Sequence, residues 1–579
     1  MVVRTTCVPV ELNAGSLFPP IGELTYLLTL PPYGFYWFVL ATATEQPNWH
    51  VPAPEPLPEF MTLVVRDVLA KALAGAAAKL IEDEALPQYI AKRRWFGLKD
   101  QTIKSTRISD LVNIGDGAHE IVLAEIEVKT AGAAPTRWSL PLGISWDDEA
   151  TAALPNRLAL ARVRRGRRLG LLTDAFALPS FAHRIIACLA AGKKFFSGED
   201  VIHFQSTDIG RPRLEASSEA EVNWLAAEQS NSSLTVGDAA MLKIYRRIAP
   251  GQHPEAEMHR YLTAHDFGHA PLLLGEIVRR ARDGTQSTLA IALEFVRNEG
   301  DAWSWMLDHL RRALDAKASA EPVVDSGADL LADCNGIATA IGRRLGQMHT
   351  ILAVETPNTA FAPETAETAD ASDWAKRTEE RLQMAFEAIA NLQRLEREQD
   401  RERAQALLQR RTSILSAVRA LAKSGAGSLM TRIHGDFHLG QVLVASGDTF
   451  IIDFEGEPAA SIGERRAKTS PLRDVAGLLR SIDYAGAALI DRQAVGIAPV
   501  DEAERDRVLA QFRTRASMAF LRAYRDARGA RGDAATRALL ELFLVEKAAY
   551  EIAYEAANRP TWIGVPLAGL ARLVSRMVK

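Results

Sequence analysis

Residues 434 to 441, with the sequence His-Gly-Asp-Phe-His-Leu-Gly-Gln, place a carboxylate and an amide oxygen close together in the chain. A second carboxylate, Asp453, follows seventeen positions after Asp436, beyond a short apolar hairpin. Two acids so placed suit metal-assisted phosphoryl transfer, in which one carboxylate orients an attacking hydroxyl and another holds Mg²⁺ against nucleotide phosphates. Gln441 would offer the metal a neutral oxygen. The alternative is structural, with Asp436 capping a turn and Asp453 ending an edge strand.

Small polar residues and a lysine earlier in the chain are candidates for binding the nucleotide. Ser230, Asn231 and Ser232 precede an apolar strand, and backbone N–H groups there could approach a triphosphate, although an ordinary Ser-rich loop has the same letters. Lys243 lies inside a short apolar run, where a charge needs an anionic partner. The chain has no Gly-x-x-x-x-Gly-Lys-Ser/Thr motif, which disfavours a P-loop NTPase.

A helix predicted to begin at Pro254 supplies acids that could pair with this lysine. Glu255 and Glu257 both lie in its first turn, where acids also favour the helix dipole. We select Glu257 as the partner of Lys243.

The order of the predicted elements indicates two lobes with a cleft between them. Short β-like runs dominate up to residue 296, and the pattern from residue 303 onward is almost wholly helical apart from the hairpin. A mixed small lobe followed by a helical large lobe is typical of an α+β, two-lobed, protein-kinase-like fold, with its chemistry in the cleft. The main chains of Glu294 and Val296, at the end of a buried strand, would then bind adenine. A core strand without a ligand explains the same letters.

Composition indicates further boundaries. Residues 1–44 have the pattern of β-strands, and residues 45–59 contain five prolines, which is typical of an extended linker. We therefore expect a β-strand segment, a Pro-rich linker, an N-terminal cap subdomain, a small lobe and a large lobe. Their predicted ranges are 1–44, 45–59, 60–199, 200–298 and 299–579.

The totals exclude several functional classes. A chain of 579 residues exceeds what one hydrophobic core serves, and a net charge of -4 lacks the basic excess of nucleic-acid binders. Three cysteines without metal-ligand spacing support neither a disulfide framework nor a zinc site, and they fit a reducing cytoplasm. The most apolar stretch, residues 24–44, is broken by prolines and a glycine, so we expect no membrane-spanning helix.

Taken in chain order, these motifs resemble those of the aminoglycoside-phosphotransferase-like kinases, and more closely those of bacterial maltokinases, which phosphorylate maltose to maltose 1-phosphate with ATP. The general superfamily has Asn where this chain has Gln441, a departure that maltokinases share. The resemblance implies that Asp436 is the catalytic base, that Gln441 and Asp453 hold Mg²⁺, and that ATP is the phosphoryl donor. It spans residues 60–579 and rests also on residues 93–99 (RRWFGLK), 228–232 (EQSNS), 243–247 (KIYRR) and 294–296 (EFV).

The sugar site is predicted on a helix near the C-terminus. Lys547, Tyr550, Glu551 and Tyr554 are spaced i, i+3, i+4 and i+7, hence on one helical face. That face is polar and aromatic, as a saccharide requires, although a salt-bridged surface helix has similar letters. The resemblance to maltokinases implies that these side chains contact maltose.

The first 44 residues resemble a different protein, the C-terminal β-domain of trehalose synthase, through residues 18–24 (FPPIGEL) and 30–37 (LPPYGFYW). That enzyme converts trehalose to maltose. The resemblance therefore implies trehalose synthase as a fused or associated partner, and α-glucan or glycogen synthesis as the context.

Two other functions stay open. The chain could be a small-molecule kinase for another acceptor, such as an aminoglycoside, choline or another sugar, but Lys547 argues against the acidic pocket that polycationic drugs need. It could also be a non-catalytic module that docks trehalose synthase. The intact set of Lys243, Asp436, Gln441 and Asp453 argues against that reading.

Overall fold

The computed structural model describes residues 7–11, 38–42, 60–97, 102–115, 117, 119–149, 153–225, 231–319, 329–392, 395, 397–457, 460–489, 502–529 and 532–577. The chain forms two compact units, Met1–Thr62 and Leu63–Lys579. In the first unit, β1 (Cys7–Glu11) pairs antiparallel with β2 (Phe38–Thr42). The predicted linker, residues 45–59, lies outside the described residues.

A sheet and five α-helices follow, and we call them together the cap. Long alternating and apolar runs predict such strands because one face of each is buried. The sheet order is β3-β7-β8-β6-β5-β4. The strands are β3 (Thr62–Val64), β4 (Ile103–Asn113), β5 (Ile121–Thr130), β6 (Thr136–Trp146), β7 (Ala159–Arg165) and β8 (Arg168–Asp174), and the helices are α1 (Leu69–Ala74), α2 (Ala76–Leu80), α3 (Leu86–Ala91), α4 (Ala153–Arg157) and α5 (Pro179–Ala190).

A second sheet, of seven strands, forms the small lobe. Its strands are β9 (Lys194–Ser197), β10 (Asp200–Ser206), β11 (Val222–Trp224), β12 (Asn231–Val236), β13 (Ala240–Tyr245), β15 (Leu273–Arg280) and β16 (Gln286–Glu294), in the order β11-β12-β13-β16-β15-β10-β9. Helices α6 (Gly210–Ala216) and α7 (Pro254–Ala264) accompany it. The helix predicted from Pro254 is therefore present.

The cap and the small lobe exchange strands across the boundary predicted at residue 200. Strand β9 precedes that boundary yet belongs to the small-lobe sheet, where it pairs with β10. Conversely, β14 (Arg247–Ile248) follows it and pairs with β6 of the cap. The two parts are thus joined by backbone hydrogen bonds in both directions.

The large lobe is helical, as predicted. Its helices are α8 (Ala302–Ser319), α9 (Ala332–Ile351), α10 (Thr368–Asn391), α11 (Glu398–Gln409), α12 (Arg411–Lys423), α13 (Ile462–Arg466), α14 (Leu472–Ala488), α15 (Glu502–Arg528), α16 (Ala534–Asn558) and α17 (Gly564–Met577). Two short strand pairs interrupt them: β17 (Glu364–Thr365) with β18 (Leu429–Met430), and β19 (Val442–Ala445) with β20 (Asp448–Ile451).

Two apolar cores hold the large lobe together. One packs α8, α9, α14 and α15 against the β19–β20 hairpin, and the other packs α10, α12, α16 and α17. The first core requires a close backbone approach of α9 to α15, because a Cβ added at Gly342 would lie 2.3 Å from the carbonyl oxygen of Phe520. The hairpin that carries the predicted acids is therefore fixed on a rigid helical support. Within the described ranges, no helix has the length and apolar character needed to cross a membrane.

Candidate active site

Lys243 lies at the centre of a cluster of three carboxylates. Its Nζ is 2.9 Å from Glu255, 2.7 Å from Asp453 and 2.6 Å from Glu455. Burial disfavours the ammonium charge, but the carboxylates outweigh burial and raise the pKa of Lys243 well above its usual value. A charged lysine on β13 thus faces the two acids that follow the hairpin.

The prediction that Glu257 pairs with Lys243 was wrong. Glu255 pairs with this lysine, and Glu257 instead contacts Arg432 at 2.5 Å and Arg466 at 2.8 Å. Side chains two positions apart on a helix point in directions that differ by about 200°. The two acids therefore leave α7 on different sides, Glu255 toward the small-lobe sheet and Glu257 toward the large lobe.

Of the two predicted phosphate-loop residues that the structure describes, Asn231 has its side chain in this cluster. Asn231 donates from its amide to Glu455, on the side of the sheet that Lys243 faces. The hydroxyl of Ser232 lies on the opposite face, where it is buried and accepts a hydrogen bond from Arg246 at 2.8 Å, and the predicted contact of its backbone with phosphate stays a prediction. Alternation along a strand sends successive side chains to opposite faces. Ser230 lies outside the described residues.

The predicted metal ligands meet at the end of the hairpin. Gln441 donates from Nε2 to Asp453 Oδ2 at 3.0 Å. Burial alone would raise the pKa of Asp453, but Lys243 and the Gln441 hydrogen bond are among the groups that lower it to about 2, so this carboxylate is charged. Asp453, Glu255 and Glu455 each offer an oxygen within 4.8 Å of the others. Carboxylate oxygens are ligands that a hard divalent cation such as Mg²⁺ prefers, so this set fits such an ion.

The loop that carries Asp436 is held by a buried acid that sequence reasoning missed. Asp474 on α14 accepts hydrogen bonds from the backbone N–H groups of His434 at 2.8 Å and Gly435 at 2.9 Å. It also lies 3.0 Å from the ring of His349. Burial acts to raise the pKa of Asp474, but these partners lower it overall. The signal in the sequence was an acid in the first turn of a predicted helix, which is also the pattern of simple capping.

A pocket of about 550 Å³, open to solvent, adjoins Asp436. Lys547 and Tyr550 of α16 line it, and Lys547 Nζ lies 3.6 Å from Asp436 Oδ1. Arg381 of α10 lies over the Tyr550 ring at 4.8 Å. The remaining lining residues are Gly435, Phe437, Glu457, Arg473, Asp474, Gly477, Phe543 and Glu546.

The other two predicted sugar contacts do not line this pocket. Glu551 is buried and pairs with Arg480 of α14 at 2.7 Å. Tyr554 is 43% exposed and lies two turns from Lys547, about 10 Å further along the helix axis. A shared helical face therefore extends past the pocket, and the lining of the pocket supports neither assignment.

The predicted adenine-binding segment joins the two lobes. Glu294 ends β16, its backbone N–H donates to Leu272 at 2.9 Å, and its side chain pairs with Arg213. The carbonyl of Val296 accepts from the Asn298 side chain at 2.8 Å. Adenine binding by these main chains stays a prediction.

A lobe built on an antiparallel sheet carries a lysine and acid cluster, and it is joined to a helical lobe with an acid beside a polar pocket. Together these features define a kinase-like phosphotransferase. The sequence model of the phosphotransferase enzyme family, APH, matches residues 222–539. The chain belongs to this family.

Two curated relatives are both named glucosamine kinase. The protein from Mycolicibacterium smegmatis is 28% identical over 353 residues, covering 60% of this chain and 79% of the relative. The one from Streptacidiphilus jiangxiensis is 29% identical over 364 residues, covering 61% and 74%. A solved structure, a glucosamine kinase in complex with glucosamine, ADP and inorganic phosphate, is 23% identical with a TM-score of 0.57, over 84% of this chain and 99% of that one. It supports the two-lobed fold.

The N-terminal segment matches different proteins. Residues 4–37 match the C-terminal domain of maltogenic amylase. Trehalose synthase/amylase TreS of Mycolicibacterium smegmatis is 52% identical over 41 residues, which is 7% of each chain. The predicted resemblance of this segment to trehalose synthase is confirmed over that short stretch.

Proposed function

We propose that the protein transfers the γ-phosphoryl group of ATP to the anomeric hydroxyl of maltose, giving maltose 1-phosphate for α-glucan synthesis. Membership of the family supports phosphotransferase activity, and our proposal adds the identity of the acceptor. The position of Asp436 carries the proposal. It lies in the wall of the polar pocket and only five positions before Gln441, a predicted metal ligand, so the acceptor and the metal would meet around one short loop.

Asp436 would act as the base. Its carboxylate accepts a hydrogen bond from the anomeric hydroxyl and aligns that oxygen with the γ-phosphorus, where the new P–O bond forms while the bond to the β-bridging oxygen breaks. The hydroxyl proton passes to Asp436 and then to solvent. Gln441 and Asp453 would hold Mg²⁺, which neutralises phosphate charge when bound. Lys243 would contact the same phosphates.

Two observations support maltose as the acceptor. The pocket combines an aromatic ring, Tyr550, with charged groups that can hydrogen-bond hydroxyls, as a neutral saccharide requires. The N-terminal segment matches trehalose synthases, and by the resemblance described above that enzyme makes maltose. A charged amino sugar would meet the ammonium of Lys547 next to Asp436.

Glucosamine is the second candidate acceptor because both curated relatives are named glucosamine kinase. The two candidates differ in charge and in size. Glucosamine would require its ammonium to lie nearer to Glu457 or Glu546 than to Lys547.

The test is an assay of ADP release with ATP and Mg²⁺ across maltose, glucose, glucosamine and an aminoglycoside, with phosphorus NMR of the product. We expect maltose to have the highest kcat/KM, and the product to be an anomeric phosphate. In Asp436→Asn, loss of the base should lower kcat by at least about 100-fold. If kcat/KM is higher for glucosamine than for maltose, glucosamine is the acceptor. If Asp436→Asn keeps the kcat of the unmodified chain, the proposed mechanism is wrong.

A further inference from the structure

We infer that the cap positions the ATP-binding strands, through two contacts that converge on one turn of the cap. The turn is the short 3-10 helix Ala175–Ala177 together with its N-terminal cap residue, Asp174. It follows β8 directly. The contacts come from Arg246, just after β13, and from Trp224, at the end of β11.

Arg246 and Asp174 form a fully buried ion pair between the small lobe and the cap. Each side chain is 1% exposed, and the guanidinium lies 2.8 Å from the carboxylate. The same guanidinium donates from Nε to Ser232 of β12 at 2.8 Å. The backbone carbonyl of Arg246 accepts from Ser139 of β6 at 2.6 Å. Because an unpaired buried charge is costly, this arginine holds β12, β13 and the cap in one arrangement.

Aromatic rings of the cap complete the arginine site. The Arg246 guanidinium lies 5.5 Å from the ring centre of Trp95 and 5.4 Å from that of Phe176. Both rings are buried. They fix the plane of the guanidinium, so the direction of its bonds to Ser232 and Asp174 is set by the cap.

Trp224 makes the second contact independently of this charge. Its indole Nε1 donates to the backbone carbonyl of Phe176 at 2.7 Å. Trp224 ends β11, and Asn231 begins the partner strand β12. Both strands of this pair are therefore tied to the Asp174–Ala177 turn, one through Trp224 and the other through Ser232 and Arg246.

The consequence concerns the placement of Lys243. This lysine precedes Arg246 by three positions, so the two side chains leave the chain on opposite faces, one toward the carboxylate cluster and the other toward the cap. When Arg246 is held in place, the position and twist of β13 are fixed as well. The position of the Lys243 ammonium then follows from that of β13. The cap thus acts as a positioning element for nucleotide phosphates. This inference rests on the proposed nucleotide site and does not depend on which sugar is phosphorylated.

The experiment compares Trp224→Phe and Ser232→Ala in the full chain with the matched control Tyr89→Phe. Trp224→Phe keeps an aromatic ring and removes the donor, and Ser232→Ala removes the acceptor of Arg246. Tyr89 also donates to Asp174, at 3.0 Å, but both partners belong to the cap. Measured quantities are KM for ATP, KM for sugar, kcat, direct ADP affinity by calorimetry, and Tm.

We expect each small-lobe variant to raise KM for ATP and Kd for ADP about fivefold, the effect of one lost hydrogen bond, with KM for sugar unchanged. Tyr89→Phe should lower Tm without changing KM for ATP. Unchanged nucleotide affinity in both small-lobe variants would overturn the inference and leave the cap a purely stabilising role. An equal change in Tyr89→Phe would overturn it as well. Loss of all sugar phosphorylation with normal ADP binding in the unmodified chain would instead count against the proposed acceptor.

Discussion

The Asp436 carboxylate lies beside the half-buried ammonium of Lys547. Burial disfavours the charge of Lys547, but nearby carboxylates, Asp436 first among them, outweigh it and raise its pKa. Lys547 is therefore charged at neutral pH and can donate to a sugar oxygen while it shields the carboxylate of the base. This arrangement suits an uncharged acceptor.

Replacing Lys547 by Met should lower kcat/KM for the sugar by about 10- to 100-fold, because one charge-assisted hydrogen bond to the acceptor is lost. KM for ATP should hardly change. Steady-state kinetics with each substrate varied in turn measures both quantities. Tyr554→Ala on the same helix is the matched control and should retain its sugar KM. A weaker effect for Lys547→Met than for Tyr554→Ala would contradict the placement of the pocket.

The burial of His259 leads us to expect that the folded protein loses stability in acid. Burial lowers its pKa to about 3, and the fully buried ring contacts the Pro271 carbonyl at 2.8 Å. The unfolded chain binds this proton near pH 6.5, whereas the folded chain does not. The stability that neutral His259 contributes is therefore fully present above pH 6.5. It is lost as the pH falls toward about 3, by up to about 1.4 kcal/mol per pH unit.

The test is His259→Asn, which keeps a donor for Pro271 and removes the titrating ring. Urea unfolding at pH 7, 6 and 5 gives the free energy of unfolding at each pH. The variant should show a slope that is shallower by about 1 kcal/mol per pH unit. Parallel slopes for the two proteins would refute the prediction.

For single residues, the types and their spacing in the sequence predicted which side chains belong to the site. The directions in which those side chains point could not be predicted from the sequence. The positions of Gln441 and Asp453 on either side of a short hairpin brought these two predicted ligands into hydrogen-bond contact. The choice between Glu255 and Glu257 depended on which side of α7 meets the small-lobe sheet. A single sequence does not contain that rotation, because it is set by packing against a segment 175 residues further along the chain.

Helices α9 and α15 meet at a distance that only glycine permits. Gly342 approaches the carbonyl of Phe520, and Gly346 approaches Tyr524. This contact supports His349, near the end of α9, whose ring lies between Asp474 and Tyr524. The element packing therefore reaches the loop that carries Asp436.

Gly342→Ala should destabilise the protein by about 1–3 kcal/mol, because the new methyl group forces the two helices apart. The same substitution at Gly336, exposed on α9 with open space around its Cβ position, should stabilise by up to about 1 kcal/mol through helix propensity. Chemical denaturation of both variants measures the difference. Equal stabilisation by both substitutions would show that the approach is looser than 2.3 Å implies.

Element types could be predicted, but their sheet partners could not. The helix from Pro254 and the buried strand ending at Glu294 follow from local pattern. The pairing of β14 with the cap involves two residues, too few to show a period. Likewise, nothing in the letters of β9 indicates which of two sheets it will join.

The two lobes are connected by a buried triad of charges. Glu257 of α7 is 4% exposed and contacts Arg432, which is 1% exposed, and the more accessible Arg466. Burial acts to raise the pKa of Glu257, and the two arginines lower it overall. One acid thus binds segments on both sides of the hairpin.

Glu257→Gln should destabilise the whole molecule by about 3–5 kcal/mol, because Arg432 is left buried without a full counter-charge. The midpoint of urea unfolding measures this loss. Asp238→Asn, which breaks an exposed pair with Arg297, is the control and should cost at most about 1 kcal/mol. If both variants unfold at the same midpoint, the triad contributes no more than a surface pair.

The exchange of strands between cap and small lobe bears on how this protein can be dissected. A fragment cut at the ends of the family match, residues 222–539, would lack β10, and the bare edge of β15 would be open to pairing with other chains. It would also end before Lys547 and Tyr550, so the wall of the acceptor pocket that α16 provides would be missing. Recombinant work on an isolated catalytic half would therefore yield an aggregating piece with half a binding site, and useful excision points lie outside β3 and α17.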